Sequence, residues 1–154
     1  MNNIDATSIS SAIDELAPNH LKAFLKNALT TESFDFDLNG MILTGEASPE
    51  KVVVRTSIIK REDSLWLSVV DEVYDFLCTS SAAYKQERTE AGSNAKSIIT
   101  FVAASLAAKF HIALGVATGF VILAVIAAFK ITKNAWCALQ ASKKSSSEQL
   151  PGKL

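Results

Sequence analysis

Apolar positions near the start of the chain recur with a helical period. Ile9, Ile13 and Leu16 fall three and four apart, with Ala12 and Ala17 beside them. This spacing predicts an amphipathic helix that Thr7 or Ser8 can cap. Pro18 interrupts it, because proline has no amide hydrogen to give and crowds the preceding turn. A second helix is predicted from Asn19 to Leu29, where Leu21, Phe24, Leu25, Ala28 and Leu29 share one face and Lys22, Lys26 and Asn27 lie off it. The period then changes. Phe34-Asp35-Phe36-Asp37-Leu38 alternates apolar with charged, the signature of a half-buried strand. Asn39-Gly40 supplies a tight turn, and Met41 to Thr44 returns as a second strand. After a loop at 45–50, Lys51 to Lys60 (KVVVRTSIIK) is rich in β-branched residues and predicts a third strand. Ser64 opens a long helix with Leu65, Val69, Val73, Phe76 and Leu77 on its buried face, and Trp66 and Val70 at the margins. Tyr84 to Arg88 continues it in polar form or makes a short helix of its own. Ala91-Gly92-Ser93-Asn94 marks a boundary.

Beyond that boundary the pattern is almost wholly apolar from Ile98 to Phe129. Lys109-Phe110-His111 divides it. The first piece, 97–108, reaches only about 18 Å as a helix, too short to cross a bilayer. The second, Ile112 to Phe129, holds 18 residues without a charge, roughly 27 Å against a hydrocarbon core of about 30 Å. The expected fold class is therefore α+β: helices packed on a three-stranded antiparallel sheet over residues 1–94, then a membrane segment over 95–133 and a basic, disordered tail over 134–154. The segment itself is read as a short apolar helix at 97–108 and a transmembrane helix at 112–131. Three arrangements follow: a single crossing, a helical hairpin with both ends on one side, or helices buried in a soluble oligomer.

Charge sharpens this reading. Residues 1–90 carry 15 acidic and 8 basic residues, a net of −7, while residues 91–154 carry Glu148 against seven lysines, a net of +6. Acids excluded from a lysine-flanked apolar run suit an anionic lipid surface. Lys96, Lys109, Lys130, Lys133, Lys143 and Lys144 are candidate headgroup contacts, with Trp136 at the interface. Positive charge beyond Phe129 argues against a single crossing and for a hairpin. Gly115 and Gly119, with Ala113 and Ala117, form a small-residue seam on which helices can pack in lipid. The polar start, Met1-Asn2-Asn3-Ile4-Asp5, predicts no secretory leader, which places the front domain in the cytosol. Cys78 and Cys137 lack metal-type spacing and fit free thiols, pairing only if the fold brings them together.

Candidate chemistry is sparse. Residues 35–46 match the calcium-loop pattern D-x-[DN]-x-[DN]-G-x₅-E, with Asp35, Asp37, Asn39, the Met41 carbonyl and Glu46 as ligands. Over those 12 residues the chain resembles an EF-hand loop, and calcium is the one cofactor the pattern implies. Gly45, Pro49 and the β-branched run deny the exit helix such a loop needs, and a hairpin explains the same alternation without metal. His20 reads as a capping or surface residue. His111 reads as interfacial, with a pH-sensing role in the membrane segment as the sharper alternative. No catalytic set or phosphate-binding loop can be proposed, and the basic residues are not interleaved with aromatics as nucleic-acid binding requires. The reading is not of an enzyme. It is of a membrane-anchored interaction or effector protein that binds a protein partner or self-assembles, its apolar helices oligomerising in and perturbing or perforating the membrane. The paired apolar segments with lysine flanks are similar, in general pattern only, to helical pore-forming proteins. The alternatives are a soluble structural or regulatory subunit whose apolar helices are covered by an oligomer or partner, and a calcium-responsive membrane adaptor.

Overall fold

The computed structural model describes residues 5–47, 64–92 and 94–153, and among these the protein is all-helical. Eight α-helices follow in order among the described residues: α1 (Ala6–Leu16), α2 (Lys22–Thr30), α3 (Phe36–Leu43), α4 (Leu65–Cys78), α5 (Lys85–Ala91), α6 (Ala95–Phe110), α7 (Leu114–Ile131) and α8 (Lys133–Lys153). Single 3₁₀ turns at Asn19–Leu21 and Ala82–Tyr84 precede α2 and α5.

This corrects the α+β expectation. The two strands predicted over 34–38 and 41–44 are one helix, α3, and the third, 51–60, lies outside the described residues. The physical reason is local. Asp35 is the N-cap, its carboxylate accepting the Leu38 amide at 3.0 Å, and Asp37 sits in the first turn where negative charge meets the positive helix end. Phe34 and Phe36 do not alternate across a sheet. They pack ring on ring at 4.9 Å, with Phe24 joining Phe34 at 5.9 Å. Asn39-Gly40 is no turn either. The helix stops at Gly45 (φ +83°), where Glu46 N–H donates to Met41 C=O at 2.7 Å and Gly45 N–H to Ile42 C=O at 3.1 Å, the paired bonds of a Schellman ending.

Three further helices, α1, α4 and α6, are bounded by recognisable signals. Asp5 caps α1 through the Ser8 amide at 2.7 Å, and Pro18 follows its end. The N-terminus of α4 is capped twice: Ser64 Oγ accepts from Leu67 N–H at 3.2 Å, and the Glu46 carboxylate accepts from Leu65 and Trp66 N–H at 2.8 and 2.7 Å. Asn94 caps α6 through the Ser97 amide at 3.0 Å. His111, in the left-handed region at φ +56°, closes α6.

The architecture is a bundle wrapped around α7. From Ala117 to Ala128 every residue is buried without interruption. A helix that is apolar on all sides needs neighbours on all sides, and α1, α2, α3, α4, α6 and α8 all pack against it. A single hydrophobic cluster therefore takes Ile9, Ile13, Leu25, Trp66 and Val73 from one side of residue 94 and Ile98, Leu106, Ile122 and Ile126 from the other. The segment read as a basic tail carries α8, which lies across α4 and α7.

Candidate functional site

The feature with most functional content is α7 with its coverings. It is the one helix among the described residues that is long and apolar enough to cross a membrane. Its partner in the helical hairpin is α6, which buries Ile98, Ile99, Val102, Ala103 and Leu106. The hairpin's turn is exposed. Residues 108–116 are open to solvent apart from the half-buried Ile112, and they present Phe110, Leu114 (55% exposed) and Val116 beside Lys109 and His111.

The small-residue seam meets the chain's own front helices. A Cβ on Gly119 would stand 2.7 Å from Leu21 Cδ1, and one on Gly115 would stand 3.9 Å from Pro18 Cγ. Both glycines thus face the α1–α2 connection. Ala117 is buried beside them, whereas Ala113 is the exposed N-cap of α7.

Lysines selected from the sequence as headgroup contacts are engaged with front-half groups. Lys96 pairs with Glu15 at 2.7 Å, Lys109 with Glu72 at 2.5 Å, Lys143 with Asp37 at 3.1 Å and Lys144 with Asp71 at 3.9 Å. Lys144 also lies over the Tyr74 ring at 4.7 Å, and Lys130 donates to the Thr31 carbonyl. Lys133 is exposed, and Trp136 is buried at 2% exposure. Part of the charge asymmetry of the sequence is thus met within the molecule, by surface bridges that join its acidic front to its basic back.

Calcium-pattern residues are placed in separate duties. Asp35 caps α3 with its carboxylate, and Asn39 Nδ2 donates to the Asp35 carbonyl at 2.7 Å. Asp37 accepts from Trp66 Nε1 at 3.0 Å, Glu46 caps α4, and the Met41 carbonyl receives the Glu46 and Ala47 amides. Among the described residues no three His, Cys, Asp or Glu side chains converge on a metal-sized site. His20 lies exposed in the 3₁₀ turn before α2.

Two features escaped the sequence. The first is a bond between Cys78 and Cys137, with Cα atoms 5.7 Å apart across a separation of 59 residues. It corrects the expectation of free thiols and removes cysteine usage as an argument for a reducing compartment. No spacing rule points to such a pair; only the packing of α8 on α4 does. The second is the cluster around Glu72, whose carboxylate is held between Lys109 and the Tyr84 hydroxyl, which donates to Glu72 Oε1 at 2.6 Å. Burial, then the hydrogen bond to Glu72, pushes the Tyr84 hydroxyl well above its ordinary range.

Among the described residues, fold and site together define an all-helical bundle enclosing one membrane-capable helix. The chain matches no family model, and no curated protein or solved structure is significantly similar to it.

Proposed function

We propose that the protein is a membrane-active effector, which stores a membrane-spanning helix inside a water-compatible bundle and self-assembles when that helix enters lipid. The observation that carries this reading is α7. Ten of its 18 residues are Leu, Ile, Val or Phe and the rest are small apart from Thr118 and Lys130. Magnitudes favour a triggered process. At about −0.3 to −0.6 kcal/mol per large apolar residue, insertion of α7 gains on the order of 3–6 kcal/mol. That is comparable to, or below, the roughly 5–15 kcal/mol that holds a domain folded. The bundle therefore persists in water, and something must weaken it first. An anionic surface is suited to this, because its headgroups compete with Glu15, Glu72, Asp37 and Asp71 for the same lysines. The exposed turn at Phe110, Leu114 and Val116 is the part of the hairpin that meets lipid first. A hairpin insertion keeps the front helices and α8 on one face of the membrane, which on this reading is the cytosolic one, where a protein partner can reach them.

Vesicle leakage tests the proposal. Protein added to vesicles of phosphatidylglycerol should release an encapsulated dye and give cross-linked oligomers. Release from purely zwitterionic vesicles should be about ten-fold slower, because the polybasic contribution is lost. A protein that neither leaks dye nor oligomerises on anionic vesicles overturns the reading.

One observation favours a second reading. The buried run from Ala117 to Ala128 is covered by the chain's own helices, as the core helix of a soluble interaction module would be. Membrane association that resists carbonate extraction separates the two readings: its absence supports the soluble module.

A further inference from the structure

We propose that α8 is a redox-released strap, hinged at Thr132 and held shut by the Cys78–Cys137 bond. The inference rests on how poorly α8 is otherwise satisfied where it lies. Thr132 is the single residue between α7 and α8, and it sits at φ +108°, ψ 146°, a backbone region that a β-branched residue adopts only under constraint. Its amide still closes α7 by donating to Ala128 C=O at 3.1 Å, and its carbonyl opens α8 by accepting from Trp136 N–H at 2.9 Å. One strained residue therefore makes the whole bend. If Thr132 relaxes to helical angles, α7 and α8 become one continuous helix and α8 leaves the bundle.

The seat of the strap is imperfect as well. Beneath α8 lies a groove of 210 Å³, walled by Trp66, Val70, Ala124 and Ala127 and edged by Trp136 and Gln140. Gln140 is buried at 5% exposure, yet its amide makes no side-chain hydrogen bond among the described residues. Buried amides are ordinarily paired. Two solvent-accessible bridges, the exposed Lys143–Asp37 and the half-buried Lys144–Asp71, add little holding power. A hinge under strain, a groove beneath the helix and a buried amide without a side-chain partner among the described residues mark this element as locally unstable. The covalent bond counters all three. It joins the last residue of α4 to the second turn of α8, and both cysteines are half-buried, so a small thiol can reach the bond.

Release is a thiol–disulfide exchange. A thiolate from a soluble dithiol donor attacks one sulfur and forms a mixed disulfide, and the donor's second thiol displaces the protein sulfur. The S–S bond breaks, two electrons and two protons pass to the protein, Cys78 and Cys137 become thiols, and the donor leaves as its own disulfide. Opening bares the side of α7 that carries Ala124 and Ala127.

Hydrogen exchange on the full chain, with and without dithiothreitol, tests the strap. Reduction should speed amide exchange at 133–144 by about ten-fold or more while α1, α2 and α6 keep their protection. Cys137→Ser and Cys78→Ser should each reproduce this without reductant. Thr132→Gly, which makes the closed backbone unstrained, should slow exchange in the reduced protein several-fold, an effect that a merely stabilising bond does not predict. Unchanged protection of α8 on reduction overturns the proposal. So does loss of protection spread evenly over all helices, a reduced chain that no longer folds, or faster opening in Thr132→Gly. The strap is a property of the bundle in water, separate from the membrane reading: release without dye leakage keeps the strap and removes the effector function.

Discussion

Gly40 shows how a residue can be conspicuous in a sequence for one reason and needed for another. Beside Asn39 it reads as a turn. In the structure it lies in the middle of α3, where a Cβ would fall 2.1 Å from Trp66 Cδ2 and within 2.6 Å of two further indole atoms. Its role is to let the ring lie against the helix backbone while Asp37 holds the indole N–H. Gly40→Ala on an exposed helix would stabilise by about 1 kcal/mol. Here the indole must move, and overpacking costs about 1–3 kcal/mol. The urea midpoint of Gly40→Ala should therefore fall, and a rise would show that Trp66 is not seated on α3. Alternation over five residues was ambiguous for a related reason. Aspartate can be the solvent face of a strand or the cap of a helix, and contacts with the distant Trp66 decide between them.

At the scale of elements, α1, α2, α4, α6 and α7 were legible. Their apolar spacing is local and was enough to find them, although α1 is capped by Asp5 and not by Thr7 or Ser8, and α2 and α7 have no side-chain cap. The C-terminus of α4 was not, because its cap comes from another helix. The Arg88 guanidinium donates to the carbonyls of Asp75, Phe76 and Ser81, each at 2.8 Å, and lies over the Phe76 ring at 5.8 Å. This fork satisfies carbonyls that the helix leaves open and ties α5 to α4. An ammonium cannot span the same three acceptors. Arg88→Lys should thus lose about 1–3 kcal/mol in denaturant titrations, despite its conserved charge. Equal stability of the two proteins would mean that charge at the helix end, not the fork, is what matters.

For the whole molecule, the clearest consequence is a pH dependence. Tyr84 packs edge-on against Phe76 at 5.1 Å and donates to Glu72, which also meets Lys109 of α6. Its hydroxyl is held protonated in the folded state, its titration raised by burial and by Glu72. The unfolded chain releases this proton from about pH 10 upward. Above that pH the unfolded state binds fewer protons than the folded one, so stability falls as pH rises. Below it, Tyr84 contributes no pH dependence. The folding free energy should therefore decline above about pH 10, and Tyr84→Phe should flatten that decline. An identical alkaline limb in both proteins would assign the effect to other groups.

By itself the sequence determined that Ile112 to Phe129 would be an apolar helix long enough to span a membrane, and that a break at Lys109–His111 would divide it from a shorter apolar helix. Both follow from composition and period, which need no knowledge of distant residues. Tertiary structure decided what surrounds that helix. Water leaves an all-round apolar helix two outlets, lipid or a sheath of other helices. The front helices, together with α6 and α8, supply the sheath, and of the lysines that flank the helix Lys109 meets Glu72 while Lys130 meets the Thr31 carbonyl. Whether Phe34 to Leu43 coils or extends, whether Cys78 meets Cys137, and where α8 lies all depend on contacts between residues far apart in the chain. Such contacts leave no period to read, because they are set by packing and not by the local backbone.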